Sequence, residues 1–350
     1  MTSVDRELRD VLHDVLAGDL DDRLDQAAGG VRFDAELWDR LGELGFTALT
    51  TPEDHGGSGA GWREAAVLLG ESAAAARHLP FAETDLLARW LLRRAGLGPG
   101  DASAPRTVAV VGEGGVARAV PWAGHVPVVV VFRRRSGTLA LAEDVRATIT
   151  PVTTGSGQPR ADLTLAEEPD EATDLDDAVL DQLLLRGALA RAVQIAGALD
   201  RAVELCVEHA GVRAQFGRPI GKFQAVQHLV ADAAAEAALA RAAVDAAVLD
   251  AADDDLTGPA SATKVAAARS CAGHAASVVV RNAHQVHGAI GTTREHPLQL
   301  FTLAALDWRG EFGTTRDWDR FLGEAAADSA LWDVVLGAPA RVPALPAVHR

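Results

Sequence analysis

The sequence predicts a mainly helical protein with a small β insert, because the spacing of its apolar residues changes twice along the chain. Up to about Gly96, apolar residues recur every three or four positions, which is the helical period. From Pro105 to about Glu168 they form short runs separated by glycines, and from Ala178 onward the helical period returns. We therefore expect an N-terminal helical domain at residues 1–104, a reduced β domain at 105–170, a C-terminal four-helix bundle at 171–335 and a frayed tail at 336–350.

The N-terminal helices are predicted from their apolar spacing and from the turn formers that interrupt them. Leu37 and Leu41 lie on one helical face, and further helical stretches follow at Ala65–Ala76 and Asp85–Ala95. Residues 51–59 contain proline, aspartate, serine and three glycines, which cannot continue either neighbouring helix. A loop is therefore expected between these helices.

Six short runs of β-branched and apolar residues predict the strands of the insert. They are Thr107–Val111, Val116–Val120, Val126–Phe132, Thr138–Leu141, Thr148–Pro151 and Ala161–Leu165. The sequence Gly-Glu-Gly-Gly at residues 112–115 separates the first two runs. It lacks the following Lys and Ser or Thr of a phosphate-binding loop, and a strand rather than a helix comes next. We expect a hairpin turn there.

Four long segments predict the C-terminal bundle. They lie near Val179–His209, Lys222–Asp250, Pro259–Val286 and Pro297–Arg309. Alanine, the best helix former, fills 13 of the 22 positions from 231 to 252. Long helices with apolar faces and short connections are typical of an up-down bundle.

The charge and composition exclude several functional classes. Lys and Arg number 33 against 49 Asp and Glu, so the formal net charge is −16, which opposes nucleic-acid binding. The apolar stretch Val126–Phe132 is far shorter than the roughly 20 residues that a membrane span needs. The two cysteines, Cys206 and Cys271, do not form a disulfide framework and fit a reducing compartment. We expect a soluble cytoplasmic protein that binds neither nucleic acid nor membrane.

Three stretches carry a family resemblance. The first is Leu37–Phe46 leading into Thr51–Gly57, the second is Arg213–His228, and the third is Gln285–Gly291 continuing to Glu295–Pro297. In this order and at this spacing they resemble the acyl-CoA dehydrogenase family of flavoproteins. The resemblance extends over roughly residues 35–318 and implies that family's helical, β and four-helix-bundle architecture, with FAD as cofactor and an acyl-CoA thioester as substrate.

The resemblance assigns one set of cofactor contacts to the second stretch. It implies that Arg213, Gln215, Phe216 and Gln224 contact the diphosphate or adenine half of an FAD bound to a neighbouring subunit. Their chemistry agrees, because a planar guanidinium that follows a helix end suits a pyrophosphate. The alternative is that Arg213 merely pairs with an acidic neighbour such as Glu208.

The third stretch matches the second adenosine-side segment of the family, which implies contacts from Gln285, His287, Gly288 and Ala289. Small residues let a backbone approach phosphate closely. Ala289 departs from the family, which often has a second glycine there. His287 and His296 are nine residues apart with no Cys or acidic ligand at metal spacing, so no metal site is expected.

The catalytic base is where the sequence departs most from the family. By resemblance, a carboxylate removes the α-proton of the thioester from one of two helix positions, which here fall on Phe312 and on or beside Gly187. Neither is acidic. Glu311 is the remaining candidate, but a one-residue helical offset rotates a side chain by about 100°. The alternative for Glu311 is a helix-end or salt-bridging glutamate.

The insert is also short and lacks the Thr-Glu-Pro string that holds the flavin ring in the family. The chain therefore resembles the short subunit of hetero-oligomeric acyl-CoA dehydrogenases, such as those of actinobacterial steroid side-chain or dicarboxyl-CoA metabolism. This implies a full-length partner subunit that supplies the base and flavin pocket, and electron-transfer flavoprotein as acceptor. Two alternatives stay open: a self-sufficient homo-oligomeric flavoenzyme that uses Glu311 or another carboxylate for dehydrogenation or altered chemistry, and a non-catalytic structural relative.

Overall fold

The computed structural model describes residues 3–18, 20–28, 30–98, 101, 103–143, 145–327, 329–335 and 342–346. The N-terminal part contains α1 (Ser3–Leu16), α2 (Leu20–Ala28), α3 (Ala35–Glu43), α4 (Trp62–Ala74), a π-helical segment (Ala82–Arg89) and α5 (Trp90–Arg94), which continues it. Helix α3 begins at Asp34, whose carboxylate accepts a hydrogen bond from the Leu37 amide at 3.0 Å.

The expected loop at residues 51–59 packs tightly against the π-helical segment. A Cβ added at Gly57 would lie 2.0 Å from the Thr51 carbonyl oxygen, so this close approach of backbone to backbone requires glycine. Asp85, from the π-helical segment, accepts hydrogen bonds from the Thr50 amide at 2.7 Å and the Thr51 hydroxyl at 2.8 Å. These bonds satisfy the buried carboxylate and fix the loop.

The β insert consists of two small sheets. Its strands are β1 (Thr107–Val110), β2 (Val116–Pro121), β3 (Val128–Arg133), β4 (Leu139–Ala142), β5 (Ala147–Val152), β6 (Arg160–Leu165) and β7 (Thr173–Asp174). One sheet has the order β1-β3-β4-β7, with β1 and β3 parallel, and the other has the order β2-β6-β5 and is antiparallel. All six expected runs form strands.

The prediction of a hairpin turn at residues 112–115 is wrong. Strands β1 and β2 belong to different sheets, because β1 pairs with β3 from Thr107 opposite Val128 onward. Gly114 and Gly115 have φ values of +77° and +76°, which let the chain turn from one sheet to the other rather than back along its own strand.

The C-terminal bundle is built around a long buried helix, α6 (Ala178–Val212). A two-stranded hairpin, β8 (Ala214–Gln215) and β9 (Arg218–Pro219), leads from it to α7 (Gln224–Asp254), α8 (Ser261–His287), α9 (Leu298–Trp308), α10 (Thr315–Ala327) and α11 (Leu331–Val335). Helix α6 packs against α4, α7, α8 and α9. Within the described ranges, no helix has the length and apolar character that crossing a bilayer requires.

Most of the stretch expected to fray, residues 336–341 and 347–350, lies outside the described residues. Between these gaps, Pro343 is buried, and Leu345 packs against the main apolar core. This short segment therefore makes contacts that the sequence pattern did not predict.

Candidate functional site

The second motif forms an exposed hairpin at one end of the bundle. The Arg213 amide donates to the His209 carbonyl at 2.9 Å and so ends α6, and the Ile220 amide donates back to the Arg213 carbonyl at 2.8 Å. Phe216 and Gly217, with φ values of +52° and +79°, form the tip between β8 and β9. Backbone bonds therefore hold the hairpin, and Phe223 adds side-chain contacts: the Arg218 guanidinium lies 4.3 Å from the centre of its ring, and Phe216 packs edge-on to it at 6.1 Å.

The four side chains predicted from this motif all face solvent. Arg213, Gln215, Phe216 and Gln224 are exposed, and Phe216 reaches 91%. Glu208, the suggested partner of Arg213, instead accepts from Arg201 at 3.0 Å. The exposed ring offers an apolar face on which a planar group could stack.

The third motif lies at the same end of the bundle. Gln285, Gly288 and Ala289 are exposed, and the space around the Gly288 Cα position is open, with no atom within 4 Å of an added Cβ. The His287 ring turns inward instead and is only 5% exposed. A contact with a ligand at this position would therefore use the backbone of Gly288 or Ala289 rather than the imidazole.

A third histidine joins this region. The ring of His209, in the last turn of α6, lies 4.5 Å from that of His287 between centroids, and His296 lies 4.7 Å from His287. His209 was not predicted together with His287 and His296, because it precedes His287 by 78 positions in the chain. The contact also shows that the ends of α6 and α8, and hence both motifs, come together.

The two positions that the resemblance gives for a catalytic base also come together, but they hold no carboxylate. A Cβ added at Gly187 would lie 2.4 Å from the Phe312 ring, so the ring fills the space beside α6. Phe312 has φ +51°, which places it in the left-handed region. The loop at residues 310–313 therefore directs a phenyl ring toward the place where the family needs an acid.

Glu311 points into a buried ion-pair network. Its carboxylate accepts from Arg160 and from Arg191, the latter at 2.8 Å, and its side chain is 11% exposed. Arg191 also donates to Glu83 of the π-helical segment. Burial alone would lower the pKa of Arg191, but the charges of Glu311 and Glu83 raise it above its usual value. The geometry is that of a salt-bridging glutamate.

Arg269 of α8 holds the loop that carries these residues. Its guanidinium donates to the carbonyl oxygens of Arg309 at 3.1 Å, Glu311 at 2.8 Å and Gly313 at 2.9 Å. Burial lowers the pKa of Arg269 to about 10. Sequence reasoning missed this residue, although an arginine within the apolar, alanine-rich face of a buried helix is a signal that a specific polar partner exists.

A cavity of about 510 Å³ lies between the β insert and this loop. Apolar side chains of β1, α6 and the π-helical segment line it, together with Arg118, Arg160 and Glu311; the apolar members are Leu87, Val108, Val110 and Leu183. Its size is that of a small-molecule site. Glu113, Asp307 and Glu311 are the acidic residues of its lining, and Glu311 is already paired with two arginines.

Comparison with known proteins identifies the architecture. Residues 178–315 match the family model "Acyl-CoA dehydrogenase, C-terminal domain", and residues 2–97 match "Acyl-CoA dehydrogenase, N-terminal domain". The chain is 35% identical to "Acyl-CoA dehydrogenase IpdE2" of Mycolicibacterium smegmatis over 278 residues, which cover 77% of this chain and 81% of the relative.

Solved structures show the same architecture. The ChsE4-ChsE5 complex of Mycobacterium tuberculosis has a chain with TM-score 0.84 and 24% identity, covering 94% of this chain and 99% of that chain. A variant of the Tcur3481-Tcur3483 steroid ACAD has TM-score 0.81 and 25% identity, covering 91% and 96%. With its helical, β and helical order and its three motifs, the chain belongs to the acyl-CoA dehydrogenase family.

Proposed function

We propose that this chain is the shortened subunit of an FAD-dependent acyl-CoA dehydrogenase assembly, which performs α,β-dehydrogenation of an acyl-CoA thioester. The chain contributes the adenosine and diphosphate side of a shared FAD site, and a full-length partner subunit supplies the base. The observation that carries the proposal is the contact between Phe312 and Gly187. These are the two positions at which the resemblance places a catalytic carboxylate, and here one has a phenyl ring and the other has no side chain.

The chemistry explains why this contact matters. The α-proton of a thioester is weakly acidic, so its removal needs a positioned carboxylate whose proton affinity suits the task. The phenyl ring of Phe312 cannot accept a proton, and Glu311 is bound by Arg160 and Arg191. Both oxygens of this carboxylate are therefore already engaged by guanidinium groups of the same chain.

The residues at the hairpin fit the other half of the cofactor. Arg213 offers the planar, always charged fork that suits a diphosphate, Gln215 and Gln224 offer amides, and the exposed Phe216 ring offers a face for stacking. The open backbone at Gly288 permits close approach. FAD, when bound, supplies the hydride acceptor; these residues only bind and orient its distal end.

The relatives support this proposal without identifying the acyl group. The family uses FAD, one structural neighbour is the Tcur3481-Tcur3483 steroid ACAD, and another belongs to the ChsE4-ChsE5 complex. The proposal therefore includes an assembly of two different chains, a cytoplasmic location, and electron-transfer flavoprotein as the acceptor of the electrons.

The test is to purify the full chain alone and together with a full-length acyl-CoA dehydrogenase encoded beside it, and to measure native mass and flavin absorbance. We expect flavin to be retained in a mixed assembly and not by the chain alone. Stoichiometric flavin in a homo-oligomer that oxidises acyl-CoA would overturn the proposal. It would then favour the self-sufficient enzyme, in which Glu311, since it lines the cavity, is the first carboxylate to examine.

A further inference from the structure

We propose that His209, His287 and His296 form a binding site for a divalent transition metal that prefers imidazole ligands, such as Zn²⁺. One ring nitrogen of each residue lies within 4.8 Å of one in each of the others. The three come from separate segments: the last turn of α6, the end of α8 and the connection from α8 to α9. This site is independent of the proposed function.

The three imidazoles are in the form that binds metal. Burial lowers the pKa of His209, His287 and His296, and for His296 the neighbouring histidines lower it further, to about 4. These effects favour the neutral form of the three rings. A neutral imidazole has a free lone pair on one nitrogen, which is what a metal requires.

His287 has the arrangement of a metal ligand. Its Nδ1 lies 2.8 Å from the carbonyl oxygen of Ala283, so Nδ1 carries the proton and Nε2 the lone pair. A second-shell bond of this kind normally fixes the ring of a metal-binding histidine. Within the described residues, Nε2 is buried and makes no hydrogen bond of normal geometry, although the Leu205 carbonyl also interacts with this ring and favours its protonated form. A buried polar atom without a well-formed hydrogen bond is unfavourable, and a metal ion would provide a partner.

Metal binding requires two small adjustments. With Zn–N bonds of about 2.0 Å, tetrahedral ligand atoms are about 3.3 Å apart, so the nitrogens must approach by up to about 1.5 Å. In addition, His296 Nδ1 now accepts from the Leu298 amide at 3.2 Å. His296 must exchange tautomers and give up this long bond to offer Nε2. The half-exposed rings of His209 and His296 have room to move toward the buried His287.

The ligand chemistry selects the class of metal. Three neutral nitrogens with no carboxylate favour Zn²⁺, Co²⁺, Ni²⁺ and Cu²⁺ over Mg²⁺ and Ca²⁺, which prefer oxygen. The positive charge of Arg213, which helps to lower the pKa of His209, also opposes a cation here. We therefore expect water or an anion to occupy the fourth position of the metal.

The test measures metal binding directly. The tag-free full chain, in the oligomer in which it purifies, is stripped with chelator and titrated calorimetrically with Zn²⁺ and, separately, Mg²⁺. We expect one Zn²⁺ per chain and no saturable binding of Mg²⁺. His209→Asn, His287→Asn and His296→Asn should each weaken Zn²⁺ binding by about 100-fold or more, the upper range seen even for second-shell changes.

His228→Asn is the matched control, because His228 is exposed on α7 and outside the cluster. It should bind Zn²⁺ like the unchanged protein. If His287→Asn fails to fold, His209→Asn, at a half-exposed position, replaces it in the test. Co²⁺ is then added as a spectroscopic probe in place of Zn²⁺. The variant should lack the visible absorption bands of low-coordinate Co²⁺ while its circular dichroism stays native. The proposal is overturned if the unchanged chain shows no saturable Zn²⁺ binding, or if His209→Asn binds Zn²⁺ as His228→Asn does.

Discussion

The arginine at the hairpin end of the bundle and the arginines that contact the loop at residues 310–313 have opposite environments. Arg213 is exposed near the hairpin tip, and among the described residues its hydrogen bonds are made by its backbone. Arg191 and Arg269 are buried, and their guanidinium groups donate to carboxylates and carbonyls of the same chain. The buried arginines stabilise the fold, whereas the exposed one adds little to it. Substitutions in the two regions should therefore affect different properties.

The largest expected effect comes from Arg191→Met, which leaves Glu83 and Glu311 without their shared cation. Removal of one partner from a buried charge network costs about 3 to 5 kcal/mol. Urea denaturation of the variant should show this loss in the free energy of unfolding. Arg201→Met, which removes exposed pairs with Glu204 and Glu208, should cost less than about 1 kcal/mol. Equal losses in the two variants would show that the buried network is not special.

Arg269→Met should destabilise by about 2 to 3 kcal/mol, because several buried carbonyl groups lose their donor. Hydrogen exchange should rise at the amides of residues 309–313 more than elsewhere. Arg281→Met, at an exposed position of the same helix, is the control. Unchanged exchange in the loop of Arg269→Met would mean that Arg269 does not hold it.

Glu311→Gln should lower stability by about 1.5 to 3 kcal/mol, since the charge-assisted bonds from Arg160 and Arg191 weaken. Turnover of the assembled complex, measured with its acyl-CoA substrate, should persist. Glu113→Gln removes an exposed carboxylate that lines the same cavity and serves as control. Complete loss of turnover in a folded Glu311→Gln assembly would identify Glu311 as the base.

Arg213→Ala should leave stability unchanged and weaken retention of FAD by the assembled complex. A charge-assisted contact with a phosphate is worth about 1.5 to 3 kcal/mol, or roughly tenfold to a hundredfold in affinity. Equilibrium dialysis measures the affinity for FAD, with Arg201→Ala in the preceding helix α6 as control. An unchanged affinity for FAD would remove Arg213 from the site.

The smallest effect concerns pH. Burial, with a contribution from Arg23, lowers the pKa of His78 from 6.5 to about 4, and His78 packs edge-on against Trp308 next to the buried loop. The folded state therefore favours the neutral ring, so its stability is intact above pH 6.5 and falls as the pH drops toward 4. We expect a loss of about 1 kcal/mol between pH 7 and 5.5, absent in His78→Gln. Parallel pH profiles of the two proteins would contradict this.

The sequence predicted what depends on local pattern. The strands and long helices follow from periods of two and of three to four residues, and the exposure of Arg213 and Gln215 follows from a turn between helices. The network of Glu83, Arg191 and Glu311 could not be found this way, because its members are about a hundred residues apart and only the folded core makes them neighbours. His209 was missed for the same reason, and the hairpin at 112–115 failed because a turn does not specify which strands pair.

The contact between Gly187 and Phe312 also constrains which substitutions each position tolerates. Because a Cβ at Gly187 would lie 2.4 Å from the phenyl ring, a carboxylate side chain does not fit at residue 187 while Phe312 keeps this position. Conversely, replacement of Phe312 by a smaller acidic residue would leave a cavity beside Gly187. A carboxylate at residue 187 therefore requires two coordinated substitutions, one at each position of the contact.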